Sequence, residues 1–217
     1  MIALVVRGLL DTRCVHEVIV VDNGSLDATA AEARRAGARV VCEPQRGYGR
    51  ACLAGVMAAS AANVILLQDG DGADDPSDVP RVLAPVLAGE ADLVVGVRSA
   101  SQREAGAMTS QQVAGNRVAG AWIRLLYGVR VSDLGPLRAV RRSCLLELQM
   151  SEMTYGWSVE MVVKAARSRL RYQEVPVSYR RRVGVSKVGG TLGGSLKAGG
   201  AILSTIARCS RWSPAVN

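Results

Sequence analysis

Residues 64–78 read Val64-Ile65-Leu66-Leu67-Gln68-Asp69-Gly70-Asp71-Gly72-Ala73-Asp74-Asp75-Pro76-Ser77-Asp78. The reading of this stretch decides the fold. Val64 to Leu67 is a short apolar run with the length and composition of a buried strand. It stops abruptly at Asp69-Gly70-Asp71, and Pro76 opens a helical pattern. Two carboxylates two residues apart, at the carboxyl end of a buried strand, stand where open α/β sheets bind ligands. The intervening Gly70 lets the backbone turn tightly and approach a ligand closely. Hard divalent cations take oxygen ligands, and Mg²⁺ is usually held by one or two carboxylates together with substrate phosphates. A metal site that clamps a diphosphate is one reading of the stretch. An acidic turn that caps a helix is the other.

The flanking segments favour the first. Upstream, Val18 to Val21 is a second buried strand that ends in Asp22-Asn23-Gly24-Ser25. Ser25 or Asp27 can cap the helix expected over 28–36, which Gly37 stops. A short strand over 38–42 follows. Then comes the glycine-punctuated loop Glu43-Pro44-Gln45-Arg46-Gly47-Tyr48-Gly49-Arg50 and an alanine-rich helix over 50–61. Downstream, a helix over 77–88 leads to a buried strand over 91–96, closed by Arg98. This alternation predicts a doubly wound, mostly parallel α/β sheet. Three successive strand ends, at 22–25, 69–71 and 96–98, line one edge of it.

The remaining segments are less regular. Residues 1–13 have helical spacing at Ile2, Val5, Val6, Leu9 and Leu10. Residues 99–112 are small and polar and read as a mobile loop over the site. Helices are expected over 113–127, from Ser143 to 148, and over 156–167 with Glu160 on an otherwise apolar stretch. A strand is expected over 170–179, and a small-residue helix over 192–208.

Composition bounds the class. The chain has 217 residues, 49% hydrophobic and 21% charged, which is globular. The net charge is +8, and from Lys164 onward eleven Lys and Arg face one acid, Glu174. A basic C-terminal region implies an anionic partner. Cysteines 14, 42, 52, 144 and 209 form no CxxC pair, which points to reduced thiols and away from disulfides and zinc. The single histidine, His16, excludes His-based metal clusters and argues against a Ser-His-Asp triad. No segment matches a membrane-spanning helix or a signal peptide.

Taken in order, the pieces Val-Ile-Val-Val-Asp-Asn-Gly-Ser, Gly-Tyr-Gly-Arg-Ala, Gln-Asp-Gly-Asp-Gly, Gly-Val-Arg, Gly-Asn-Arg, Ser-Asp-Leu-Gly-Pro-Leu-Arg and Glu-Val-Pro-Val-Ser-Tyr-Arg-Arg-Arg-Val-Gly-Val-Ser-Lys resemble glycosyltransferase family 2. They cover roughly residues 15–190 and look like its dolichyl- or polyprenyl-phosphate hexose synthase branch. The resemblance implies a GT-A fold over 1–190, with residues 191–217 as a basic helical tail. It implies a nucleotide-sugar site at Asp22, Gly24, Ser25, Gly47, Gly49, Arg50, Asp69 and Gly70. Asp69 and Asp71 match the family's DxD motif and would hold Mg²⁺ or Mn²⁺, Asp71 most directly. Asp133 is the candidate base or acceptor-orienting group, which makes Asp71 and Asp133 the catalytic pair. Arg98, Arg117, Arg138, Glu160, Arg180, Arg182, Ser186 and Lys187 are the candidates around donor diphosphate and acceptor phosphate. Arginine suits that task because its fork binds phosphate bidentately.

Two departures stand out. Family members open with an apolar strand ending in a Pro-x-Asn-Glu type sequence, whereas residues 1–13 correspond to the helix after it. Ala73 stands where related synthases often carry Gln or another metal-capable side chain.

The implied reaction is inverting transfer of a hexose from a nucleotide diphosphate sugar to a polyprenyl phosphate. Such an acceptor is largely ionised at neutral pH, its second pKa being about 6, and needs no strong base. The partners expected are the sugar nucleotide, the lipid phosphate and an anionic membrane surface touched by 192–209, which makes the protein cytoplasmic and peripheral on the membrane. A soluble relative with a small acceptor is the first rival. A basic nucleic-acid-binding module is the second, and the absence of aromatics interleaved with the basic run argues against it.

Overall fold

The computed structural model describes residues 1–182 and 192–214, and for 192–199 the helical backbone alone. Ser186, Lys187 and the rest of 183–191 lie outside the described residues. The helices are α1 (Ile2–Asp11), α2 (Thr29–Arg35), α3 (Tyr48–Ala58), α4 (Val79–Leu87), α5 (Ser110–Tyr127), α6 (Arg142–Glu147), α7 (Trp157–Arg167) and α8 (Leu192–Cys209). The strands are β1 (Ile19–Asp22), β2 (Arg39–Cys42), β3 (Val64–Leu67), β4 (Leu93–Val97), β5 (Arg138–Arg141) and β6 (Tyr172–Pro176). A 3₁₀ turn over Pro76–Asp78 precedes α4, and Asp75 caps it by accepting from the Ser77 amide. Among the described residues no helix is long and apolar enough to cross a membrane.

The main sheet has the order β3-β5-β4-β6. β4 and β6 are parallel, with Val94 opposite Gln173, and β5 runs antiparallel to both β3 and β4. Three strands therefore share one direction and β5 alone is reversed. β1 and β2 form a separate parallel pair, not hydrogen-bonded to β3. Every residue of β1 is only half-buried, whereas β4 is buried from Leu93 to Gly96.

That contrast follows from layering. Alternate β4 side chains enter two cores. Leu93 and Val95 pack with Ile65, Val140, Ile123, Trp157, Met161 and Ile206. Val94 and Ala139 pack on the other face with Val6, Leu9, Val79, Val82 and Val86. A strand covered on both faces reads as a continuous apolar run, which is why β4 was legible from sequence.

α5 begins earlier than its apolar periodicity suggests. Thr109 and Gln112 form a capping box that satisfies the first turn's amides, so the polar residues 110–112 are helical. Gly128, at φ 71°, ends the helix in a left-handed turn that few other residues adopt. The loop over 99–109 is also tied down: Glu104 N–H donates to the Tyr179 carbonyl at 2.8 Å, and the Arg181 amide donates to the Glu104 carboxylate at 2.8 Å. The described end of α8 packs into the core. Ile206 and Cys209 are buried, the Tyr127 hydroxyl donates to the Ile206 carbonyl, and Arg167 donates to the Trp212 carbonyl.

Candidate active site

β3 ends at Leu67, and the chain turns through Gln68-Asp69-Gly70-Asp71 at the edge of the main sheet. The left-handed residue of this turn is Gly72, at φ 76°, not Gly70. Asp71 Oδ1 accepts from the Ala73 amide at 3.0 Å, and Oδ2 lies 3.6 Å from Arg182 Nε. Burial, then the charge of Asp71, push the Asp69 carboxyl above its ordinary range, and Arg98, Arg182 and Tyr48 offset part of this. Asp74 is 2% exposed, and neither carboxylate oxygen has a hydrogen-bond partner among the described residues. Burial first, then Asp69, push its pKa up to about 8.

A second cluster faces the first. Asp133 accepts from the Arg98 amide at 2.9 Å, from Arg98 Nε at 2.7 Å and Nη2 at 2.8 Å, from the Leu134 amide at 2.9 Å, and from Asn116 of α5. Burial raises its pKa, but the hydrogen bonds and charge of Arg98 outweigh that and hold it below the usual carboxylate range. A carboxylate so occupied is a poor proton acceptor. In this structure Asp133 anchors Arg98, Asn116 and the 133–134 backbone; of the two tasks expected from sequence, base or acceptor-orienting group, these contacts favour the second. Arg98 also stacks 4.9 Å above the Tyr179 ring. Tyr179 bridges to both Asp74 and Arg103, so it joins the acidic loop to the 99–109 loop.

The third part lies at the ends of β1 and β2. The Ser25 amide donates to Asp22 Oδ1 at 2.9 Å and holds that carboxyl below its usual range. Asp22 therefore closes its own turn and does not cap α2. Asn23 reaches across: Nδ2 donates to the Glu43 and Gln45 carbonyls, and Oδ1 accepts from the Gly47 amide at 2.8 Å. Beside it Gly24, Ser25, Leu26, Asp27, Thr29 and Arg46 line an open cleft of about 400 Å³. Gly47 and Gly49 are required by close packing on the opposite side. A Cβ on Gly49 would sit 2.1 Å from the Glu152 carbonyl oxygen, and one on Gly47 2.4 Å from that of Met153. Tyr48, between them, lies next to Asp69 and so links the glycine loop to the acidic turn.

Several sequence expectations need correction. Arg138 is 1% exposed and donates to the Gly135 and Ser158 carbonyls, so it holds backbone inside the core instead of standing on the surface, and its Nη2 has no hydrogen-bond partner among the described residues. Burial depresses its pKa. Glu160 is also 1% exposed. It accepts from the Ser151 amide and hydroxyl, the Glu152 amide at 2.8 Å, and Lys164 at 2.9 Å. It fixes the 151–153 segment against which Gly47 and Gly49 pack. Arg180 pairs with Asp75, and Arg117 is exposed on α5 beside Asn116. Arg50 is half-buried at the start of α3, its amide bonded to the Met153 carbonyl. Sequence reasoning passed over Asn23, Tyr48, Asn116 and Tyr179 as site residues. All four stand inside segments already singled out, in which the charged and glycine neighbours carry the expected roles.

The donor set at 69–71 suits a hard divalent cation. Two carboxylates come from one turn, and the mutual repulsion that raises Asp69 is what a cation relieves. Among the described residues no group of three or more His, Cys, Asp or Glu is placed to hold a metal by itself. Asp69 and Asp71 would leave the remaining positions to water or to substrate oxygens, as Mg²⁺ commonly requires.

Comparison with known proteins bears on the family and the fold. The model of the family described as "Glycosyl transferase family 2" matches residues 1–144. An uncharacterized glycosyltransferase of Mycobacterium bovis is 40% identical over 185 residues, 84% of this chain and 83% of that protein. A dolichyl-phosphate hexose transferase of Haloferax volcanii is 34% identical over 180 residues, 82% of this chain and 76% of that one. The crystal structure of glucosyl-3-phosphoglycerate synthase from Mycobacterium tuberculosis with Mn²⁺, uridine-diphosphate and glucosyl-3-phosphoglycerate has the same fold, with a TM-score of 0.76 at 23% identity, covering 99% of this chain and 76% of that one. A GT-A-like α/β sheet with an Asp-Gly-Asp turn at a strand end, matched over these lengths, makes the chain a member of glycosyltransferase family 2.

Proposed function

We propose that this protein is a metal-dependent, inverting hexosyltransferase that moves a hexose from a nucleotide diphosphate sugar to a polyprenyl phosphate. The observation that supports the acceptor class is the condition of Asp133. A neutral hydroxyl acceptor needs a general base. Asp133 is saturated by Arg98, Asn116 and backbone donors, Asp74 is buried, and Asp69 and Asp71 form the metal-binding turn. A phosphate monoester arrives already ionised and needs no such base. The named activity of the Haloferax relative, transfer to dolichyl phosphate, fits this class.

In this reading residues 1–190 form the catalytic domain. The 22–25 turn, with the cleft beside Arg46, receives the nucleoside end of the donor. Arg50 and Arg182 flank its diphosphate. A phosphate oxygen of the acceptor attacks the anomeric carbon, the bond from that carbon to the diphosphate oxygen breaks, and the nucleoside diphosphate leaves. One displacement inverts the centre. Mg²⁺ or Mn²⁺ on Asp69 and Asp71 would supply Lewis-acid stabilisation of the leaving diphosphate. Arg117, Arg180, Ser186 and Lys187 are the acceptor-side candidates.

The same cations would bind a soluble phosphate ester, so the acceptor is the point to test. The purified chain is incubated with Mg²⁺ or Mn²⁺ and a panel of nucleotide hexoses, with polyprenyl phosphate in detergent in one arm and phosphoglyceric acid in the other. A lipid-linked hexose supports the proposal. A product in the soluble arm alone replaces the acceptor class, and absence of transfer in both arms removes the reading.

A further inference from the structure

Helix α5 has two apolar sides. Ala119, Gly120 and Ile123 are buried in the core. Val118, Trp122, Leu125 and Leu126 face solvent and are 49%, 49%, 80% and 47% exposed. At 3.6 residues per turn these four occupy an arc of roughly 100° outside the core-facing one. Isolated exposed apolar side chains are ordinary, but four on adjacent turns of one helix form a contiguous patch, and such patches mark contact sites.

The charges on the segment that carries the patch have one sign. Residues 109–131 include Arg117, Arg124 and Arg130 and no acid. Arg117 and Arg124 stand two turns apart on one column of the helix beside the apolar arc, and Arg130 follows the Gly128 cap. None of the three forms an ion pair among the described residues, and all three are exposed. The neighbouring helix α8 adds exposed Leu203, and the turn after it adds exposed Arg211.

We infer that this outer side of α5 is the protein's membrane-docking surface, lying flat on an anionic lipid surface with Trp122, Leu125 and Leu126 in the interface. An apolar arc bordered by arginine, with a tryptophan among the apolar residues, has the composition of an interfacial helix. Anionic headgroups attract such arginines within a Debye length. Contact between two copies is disfavoured by the same charges. A two-fold interface would set one α5 patch against the other, bringing unpaired arginines of like sign together with no carboxylate on the helix to answer them. Within 192–209, where the membrane contact was expected, the described part of α8 turns Thr205, Ile206 and Cys209 into the protein. Asn116, on the same helix, donates to Asp133, so docking through α5 would put the Arg98–Asp133 cluster close to the lipid surface. The inference stands on the α5 surface and does not depend on the acceptor.

The test is co-sedimentation of the full chain with vesicles of phosphatidylcholine alone and of phosphatidylcholine with phosphatidylglycerol, both free of polyprenyl phosphate. Binding to the anionic vesicles is expected, with little to the neutral ones. The double variant Trp122→Ser, Leu125→Ser should lose about tenfold or more of that partitioning, the scale set by withdrawing two apolar side chains from the interface. Arg124→Glu should weaken binding to anionic vesicles while leaving the apolar patch intact. Thermal melts of both variants confirm that these exposed changes leave the fold in place. Equal vesicle binding by the parent chain and the double variant would overturn the inference. So would failure of the parent chain to bind anionic vesicles. A sedimentation-velocity dimer abolished by the double variant would also overturn it, assigning the face to a second copy. Because no acceptor lipid is present, each of these outcomes leaves the transfer reaction to its own assay.

Discussion

Arg98 and Asp133 meet as a bidentate pair, Nε to Oδ2 at 2.7 Å and Nη2 to Oδ1 at 2.8 Å, with side chains only 10% and 6% exposed. The pair joins the end of β4 to the segment before β5, and Asn116 adds α5 to the junction. Removing one partner of a buried pair leaves the other charge uncompensated. Asp133→Asn is therefore expected to destabilise the protein by about 3–5 kcal/mol, measured by urea unfolding at pH 7. The folded pKa of Asp133 is depressed, so this contribution is present above the unfolded value of about 3.9 and is lost as pH falls through the lower folded value. The gap between parent and variant should close in acid. A gap that is unchanged at low pH would show that the pair is not its source.

The glycine loop makes a steric prediction. Gly49→Ala places a methyl group 2.1 Å from the Glu152 carbonyl oxygen, which is backbone and cannot swing away. The 47–50 loop must move, and with it Tyr48 and its contact to Asp69. Nucleotide-sugar affinity should fall by roughly tenfold or more, a displacement cost of about 1.4 kcal/mol or above, read by isothermal titration with Mn²⁺ present. Ala51→Gly, one turn into α3, provides the comparison, since it weakens the helix without filling the contact with 152–153.

Asp92 offers a cleaner pH signature away from the site. It receives Nε and Nη2 of Arg171 at 3.0 and 2.7 Å and the Arg171 amide at 2.9 Å, which joins the beginnings of β4 and β6. The hydrogen bonds of Arg171 bring its pKa down to about 2. A depressed carboxyl stabilises the fold above its unfolded pKa of about 3.9, and that contribution disappears as pH falls from there through about 2. Because Arg171 is half-exposed, the expected loss in Asp92→Asn is roughly 1 kcal/mol at pH 7, shrinking as pH falls towards about 2 and vanishing below it. Denaturant midpoints across that window would check it.

Asp71 provides the test of the metal turn. Mg²⁺ or Mn²⁺ with a suitable sugar nucleotide should raise the melting temperature of the parent chain, since a ligand that binds only the folded state stabilises it. In Asp71→Ala the metal-dependent part of that rise should be absent. Persistence of the full rise would remove Asp71 from the metal site.

Much of the framework was legible because local pattern carried it. The apolar runs Val64–Leu67 and Leu93–Val95 announced strands, of which Leu93–Val95 is fully buried and Val64–Leu67 only at Ile65, and Asp69-Gly70-Asp71 announced a strand-end turn with carboxylates. Other features escaped because no local signal specifies them. Arg138 and Glu160 read as charged groups available to a ligand, yet both are buried, Arg138 donating to backbone carbonyls and Glu160 accepting from backbone amides, the Ser151 hydroxyl and Lys164. A charge in a sequence shows no burial until the packing partners are known. Asn116 and Tyr179 became site residues through neighbours many positions away in the chain.

From the sequence alone came the strand–helix alternation, the acidic turn, the glycine loop and the family, because periodicity, turn residues and motif order are local properties of the chain. Tertiary structure decided that β5 runs against its neighbours, that Asp133 is bound to Arg98 and Asn116, that Glu160 backs the glycine loop, and that α5 keeps a second apolar side to solvent. These depend on strand direction, on contacts between distant segments and on which face of a helix is covered, and each is set only when the whole chain packs.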